Sequence, residues 1–248
     1  MPQEQTLKTT LKQKTVATVI VAAGTGTRFG RDKLFIEVGR KTVIGRVLDK
    51  FVYLLEQEEI NELVLVINPQ NRSQFEQFIA GRQWQSRITL IDGGSERWES
   101  SLAGIKATHS DLVLIHDAAR PFVKLVTIRA AIQALRTDQT AVLVAVPSIN
   151  SVKLVDDHGF NTESLPRQNI WLAQTPQGFS RELILAAYQK ALQQDFQQMT
   201  DESELITKFM DQSVKIVPGE ESNLKITFVN DLPLADETAR LEDLEILT

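Results

Sequence analysis

The run Ala22 to Lys33, AAGTGTRFGRDK, gathers the means of holding a polyphosphate into one loop. Gly24, Gly26 and Gly30 allow tight turns and a close approach of backbone N–H groups to phosphate oxygens. Arg28 and Lys33 add two positive charges to the same stretch. A dinucleotide fingerprint fits less well, because the spacing is GxGxxxG and the loop carries two cations. The Gly-Lys-Ser/Thr of a P-loop is also missing. A second run, HDAARP from His116 to Pro121, closes the apolar stretch DLVLIH with a carboxylate. An aspartate at the end of a buried strand, facing a phosphate loop, is placed to hold a divalent cation. A single imidazole beside it is weak evidence for a ligand, so His116 reads as structural. The third run, DGGSERWESSLAG from Asp92 to Gly104, sets two glycines at a strand end and follows them with hydroxyls that can meet the edge of a flat base. Alone, that run describes an ordinary turn and helix cap equally well.

Bulk properties narrow the chemistry. A net charge of -5 argues against a nucleic-acid binder held by a global positive field. With no cysteine there is no disulfide frame, thiolate nucleophile or Cys-based zinc site, and His109, His116 and His158 are too few for a multi-His metal centre. No apolar run reaches membrane-spanning length, and the polar first fourteen residues have no hydrophobic signal core. A cytoplasmic protein acting on small anionic molecules is the expectation.

These groups need a scaffold, and the sequence alternates strand and helix patterns. VATVIVAA (Val16 to Ala23), ELVLVI (Glu62 to Ile67), Arg87 to Ile91, DLVLIH (Asp111 to His116) and AVLVAV (Ala141 to Val146) are short apolar runs of buried parallel strands. Between them, Thr42 to Glu56, Pro69 to Ala80, Ser95 to Thr108 and Leu125 to Leu135 carry helical spacing. The pattern predicts an α/β, Rossmann-like fold, with a mostly parallel sheet covered by helices on both faces. Ligands then bind beyond the carboxyl ends of the strands, where the three runs above fall. The rhythm breaks at 148–170, where SVKLV, a polar turn (DDHGFN) and no helix predict a protruding β-arm. Helices resume at Ser180 to Phe196 and after Asp201, where Asp201 and Glu204 have the spacing of a cap and its reciprocal partner. A strand (VKIVP), a short segment around Lys225 and a helix from Asp231 follow. The expected organisation is a flexible tail over 1–14 and one domain over 15–248.

AAGxGxR followed by a lysine resembles the opening of the sugar nucleotidyltransferases. From about Val16 to Leu244 the chain is similar to the 2-C-methyl-D-erythritol 4-phosphate cytidylyltransferase family. The resemblance implies CTP and 2-C-methyl-D-erythritol 4-phosphate as substrates, Mg²⁺ as cofactor and a homodimer. It implies Arg28, Lys33 and Lys225 as catalytic cations. Ala22, Ala23, Gly24, Gly26, Gly94, Ser95, Ser100, Asp117 and Ala118 would bind the nucleotide, with Asp117 also holding the metal. Arg120, Ser151, Arg167, Thr175 and Thr200 would bind the acceptor, with Ser151 and Arg167 reaching a neighbouring subunit's site through the 148–170 arm. Two departures accompany it: no proline precedes Lys33 in the slightly shortened GRDKLF, and Ser151 stands where threonine is common. A ribitol 5-phosphate cytidylyltransferase is the nearest alternative reading. More remote are an NAD(P)-dependent Rossmann reductase, disfavoured by the loop cations, and a catalytically silent homologue, disfavoured by the intact charged set.

Overall fold

The computed structural model describes residues 13–24, 33–137, 139–196 and 199–245. Gly26, Arg28 and Gly30, and all but the last two residues of the tail, lie outside them.

Seven strands form one sheet: β1 (Val16–Ala22), β4 (Glu62–Ile67), β5 (Ile88–Asp92), β6 (Leu112–Asp117), β7 (Ala141–Pro147), β10 (Trp171–Ser180) and β11 (Lys215–Pro218). Their order is β11-β7-β10-β6-β1-β4-β5. All neighbours pair in parallel except β10, which runs antiparallel to both β6 and β7. The central parallel strands are apolar at nearly every position because both faces of the sheet are covered. One face packs on α1 (Val43–Glu56), α4 (Leu125–Thr137), α7 (Leu232–Glu245) and Phe75 of α2 (Arg72–Ile79). The other packs on α3 (Arg97–Lys106), α5 (Arg181–Gln193) and α6 (Glu202–Phe209). The expected architecture is therefore the observed one.

Local chemistry explains the elements. Val43, Ile44, Val47, Leu48, Phe51, Val52, Leu54 and Leu55 all turn inward from α1, and Thr42 caps it by accepting the Gly45 N–H at 3.1 Å. Burying each such aliphatic side chain is worth about 1.5–3 kcal/mol. Helix α3 lies close on the sheet because Gly104 has no side chain; a Cβ there would sit 2.3 Å from Val19 Cγ1 and 2.8 Å from Val66 Cγ2. Gly104→Ala gains about 1 kcal/mol of helix propensity, yet forces the helix off two buried strands. We expect a net loss of about 1–3 kcal/mol, read as a lower urea midpoint at constant m-value; an unchanged midpoint would show that the contact relaxes freely.

Two elements differ from the sequence expectation. Strand β10 occupies 171–180, where the sequence offered only the polar run QTPQGF. Its Gln174, Thr175 and Gln177 are buried, and Pro176 is tolerated because the pairing with β7 shifts register between Ala173 and Gln177. A small hairpin, β2 (Glu37–Val38) with β3 (Lys41–Thr42), precedes α1. The segment around Lys225 is neither strand nor helix. The 148–170 arm does contain a hairpin, β8 (Lys153–Val155) with β9 (Asn161–Ser164), every residue of which is exposed.

Candidate active site

The chain reverses its direction of winding at β1: β4 and β5 lie on one side of it, β6 on the other. The crevice beyond the carboxyl ends of β1 and β6 is thus the topological switch point of the sheet. Val21 pairs with Asp117 across these strands, and the Ala118 N–H donates to the Val21 carbonyl at 3.0 Å. Ala22, Ala23 and Gly24, which open the glycine-rich loop, and Asp117 with Ala118 are therefore neighbours. Gly93 brings the end of β5 to the same place, since a Cβ on it would lie 2.4 Å from Ala23 Cβ. The sequence singled out Gly94; Gly93 makes the closer contact with the loop.

Asp117 is the electrostatic centre. Its Oδ1 accepts from Arg97 Nε at 3.1 Å and its Oδ2 from Lys225 Nζ at 2.6 Å. Burial works to raise its pKa, but the Arg97 and Lys225 cations outweigh it and hold the carboxyl well below the usual carboxylate range. Lys225 reaches Asp117 from the irregular segment after β11, and that segment is tied into the site at several points. The Ile226 N–H donates to the Ala119 carbonyl at 2.9 Å. Lys33, at the start of a 3₁₀ turn over Lys33–Phe35, donates from Nζ to the Ile226 carbonyl at 2.6 Å. Lys33 therefore stands beside the segment that carries Lys225.

Arg120 and Thr175, expected to meet the acceptor, are turned to other partners. Arg120 donates to the Asn223 carbonyl at 2.8 Å and to the Ala173 carbonyl at 3.3 Å, clasping the Lys225 segment to the irregular part of β10. Thr175 is buried; its hydroxyl accepts from the Asp117 N–H at 3.1 Å and lies 3.0 Å from His116 Nδ1. His116 Nε2 lies 3.0 Å from the Arg120 carbonyl, which can only accept, so that nitrogen carries the proton and Nδ1 receives the threonine hydroxyl. Burial pushes the His116 pKa down to about 4, keeping the ring neutral. The structural reading of His116 holds, and Thr175 joins it in orienting Asp117.

In the run from Asp92 to Gly104, Ser100 is buried. It accepts from the Gly94 N–H at 3.1 Å and donates to the Glu96 carbonyl, shaping the turn from within. Ser95 donates to Glu99 at 2.7 Å as part of the cap of α3. Thr200 is exposed and gives both its N–H and its hydroxyl to Glu204. Asp201 accepts the Glu204 N–H, so the reciprocal partner of Glu204 is Thr200 and not Asp201. Ser151 and Arg167 are exposed on the arm, where Arg167 Nη1 reaches the Ile149 carbonyl at 3.2 Å.

Two charged residues escaped the sequence reading. Arg97 bridges Asp117 to Glu202, and Glu202 is almost wholly buried at the start of α6. Arg97 lies inside the DGGSERWESSLAG run and Glu202 between Asp201 and Glu204; only the fold shows that they pair.

The geometry offers an ionised carboxylate flanked by cations, beside Ala23 and Gly24 at the start of the glycine-rich run: an arrangement suited to polyanions. Residues 16–240 match a family model described as 2-C-methyl-D-erythritol 4-phosphate cytidylyltransferase. The chain is 36% identical over 220 residues to the protein of that name from Bacillus pumilus, covering 88% of this chain and 93% of the relative. It is likewise 36% identical to its Clostridioides difficile counterpart, over 90% of this chain and 93% of that one. Among solved structures, 4-diphosphocytidyl-2C-methyl-D-erythritol synthase from Anaerococcus prevotii superimposes with a TM-score of 0.81 at 34% identity, covering 92% of this chain and 96% of that one. The Thermus thermophilus 2-C-methyl-D-erythritol 4-phosphate cytidylyltransferase gives 0.72 at 27% identity, covering 92% and 100%.

Proposed function

The chain belongs to the 2-C-methyl-D-erythritol 4-phosphate cytidylyltransferase family, and we propose that the crevice around Asp117 is where it works. The enzyme transfers a cytidylyl group from CTP to 2-C-methyl-D-erythritol 4-phosphate, giving 4-diphosphocytidyl-2-C-methyl-D-erythritol and pyrophosphate. A phosphate oxygen of the acceptor bonds to the α-phosphorus as the bond to the β-phosphate bridge oxygen breaks, and pyrophosphate leaves with that electron pair. The acceptor phosphate is already ionised at neutral pH, so no base is required. The protein must align two polyanions and compensate the charge that builds up between them. The observation that carries this reading is the convergence of Lys33, Lys225 and Asp117 on the ends of β1 and β6. Arg28 would join the cations from the loop.

The donor chemistry suits Mg²⁺. Asp117 stays ionised, and each of its oxygens keeps a lone pair beyond its bond to Arg97 or Lys225. Among the described residues no three His, Cys, Asp or Glu side chains gather into a metal cage, so Asp117 would share the ion with triphosphate oxygens and water, the mixed set that Mg²⁺ prefers. Such an ion neutralises charge on the leaving phosphates.

The arm supports a homodimer. A two-stranded hairpin is marginal in water by itself, yet β8 and β9 carry Val155 at 62% exposed and lead to Phe160 at 70%. Docked on a second copy, these apolar side chains are covered, and Ser151 and Arg167 reach the partner's acceptor phosphate, to which a guanidinium fork is well matched. Arg167→Ala and Asp117→Asn would each be inactive alone. Exchanged at equal amounts they should recover about one quarter of wild-type turnover, since half the dimers hold one intact site. No recovery in verified mixed dimers would mean that each site is built from one chain. Among the described residues no helix is long and apolar enough to cross a membrane; a cytoplasmic location, where CTP is made, fits the reading and is checked by fractionation.

The deciding assay is pyrophosphate release from CTP and Mg²⁺ with 2-C-methyl-D-erythritol 4-phosphate or ribitol 5-phosphate in parallel. We expect the first acceptor to be preferred. Equal or better turnover of ribitol 5-phosphate would overturn the substrate while leaving the phosphoryl chemistry in place.

A further inference from the structure

On the face of the sheet covered by α3, α5 and α6, the site has a second, buried carboxylate. Glu202, in the first turn of α6, is 1% exposed. Its two oxygens accept from Arg97 Nη1 at 2.9 and 3.0 Å, and the Tyr188 hydroxyl of α5 donates to Oε1 at 3.1 Å. Arg97, the first residue of α3, turns its Nε to Asp117 Oδ1 at 3.1 Å. One guanidinium therefore divides its donors between carboxylates on two different elements.

Buried ion pairs are weak sources of stability, because desolvation offsets most of the attraction. What the pair supplies is direction. A guanidinium is planar with its donors in a fixed fork; once Nη1 is held by Glu202, Nε has one way to point. Glu202 is itself well anchored. The first turn of a helix favours a carboxylate, Asp201 caps that turn by accepting the Glu204 N–H at 3.1 Å, and the Ser203 hydroxyl donates to Asp201 at 2.6 Å. On its other side Asp117 is held by Lys225, whose side chain is 38% exposed and which must also serve the phosphates. Whenever Lys225 turns toward a phosphate, the orientation of Asp117 rests on Arg97, and that of Arg97 on Glu202.

We propose that Glu202 is a positioning residue for cytidylyl transfer, fixing the Asp117 carboxylate through Arg97 without touching either substrate. The proposal rests on the functional reading above. Glu202→Gln keeps the shape and removes the charge that pins Arg97. It should lower kcat by about 10–100-fold, the usual cost of losing a residue that orients a liganding group, with both KM values within about threefold of wild type. Arg97→Lys, which keeps the charge and loses the fork, should be slowed similarly. The double variant Arg97→Met/Glu202→Leu removes both charges of the pair together and leaves Lys225 on Asp117; its melting temperature should lie above that of Glu202→Gln and return toward wild type, while kcat stays low. Recovery of kcat in the double variant, or a Glu202→Gln variant that melts early at normal kcat, would make the pair merely structural. A crystal structure of Glu202→Gln gives a readout apart from activity: Asp117 should rotate off its Arg97 contact, and an unmoved carboxylate would sink the proposal. If the wild-type chain releases no pyrophosphate with either acceptor, the functional reading fails; the Asp117 orientation in that crystal still decides the positioning claim.

Discussion

Asp117→Asn should lower kcat/KM by about a thousandfold or more, near the upper end of what one preorganised electrostatic group contributes. The substitution is nearly isosteric, so the loss comes from charge. Asp117 is held ionised because Arg97 and Lys225 together outweigh its burial. Without that charge, the proposed Mg²⁺ would lose its protein ligand, Lys225 loses the partner that sets its resting position, and Arg97 faces a group that can no longer balance it. Stability should fall by less than the full cost of stranding a buried charge, because Arg97 keeps Glu202 and Lys225 is partly in water; about 1–3 kcal/mol is the expected scale. The measurements are steady-state pyrophosphate release and urea denaturation on the same preparation. A folded Asp117→Asn variant retaining a tenth or more of wild-type kcat/KM would remove Asp117 from the centre of the chemistry.

Most of the scaffold was legible in the sequence because burial on both faces makes a parallel strand continuously apolar. VATVIVAA and DLVLIH could hardly be anything else, and they are the two strands that carry the site. Strand β10 was hidden for the complementary reason. It sits centrally between β6 and β7, yet buries Gln174, Thr175 and Gln177, whose side chains bond to neighbouring backbone around the site: Gln174 Nε2 to the Glu220 carbonyl, Thr175 Oγ1 to the Asp117 N–H, and Gln177 Oε1 to the Ser203 N–H. Periodicity cannot find a strand whose buried face is polar. Residue type suggested Thr175 as a hydroxyl for the acceptor but could not tell which way it faces; the buried His116 ring and the Asp117 N–H turn it inward. Arg97 and Glu202 stand 105 positions apart, and no local pattern couples residues at that range.

The second large effect is expected at Lys225. Its ammonium lies 2.6 Å from Asp117 Oδ2, on a segment with no regular structure that is held in place by Arg120, by the Ile226–Ala119 hydrogen bond and by the Asn223 side chain, which donates to Gln174 and to the Thr175 carbonyl at 3.0 Å each. The anchors belong to its neighbours, so removing the lysine should leave the segment where it is. An ion pair whose lysine is 38% exposed contributes little to folding; Lys225→Ala should melt close to wild type. Its catalytic cost should be large, because a cation that can swing a few ångströms from Asp117 to a phosphate acts where charge grows in the transition state and less where the substrates merely bind. We expect kcat to fall by about 10²–10³-fold, with the KM for CTP rising by less than about tenfold. Lys33→Ala should behave alike, since Lys33 Nζ meets the same segment at the Ile226 carbonyl. The split between kcat and KM is the decisive quantity. A rise in KM with unchanged kcat would mean that the lysine binds CTP equally well throughout the reaction, and the compensation of transition-state charge would then have to be sought in the loop that carries Arg28.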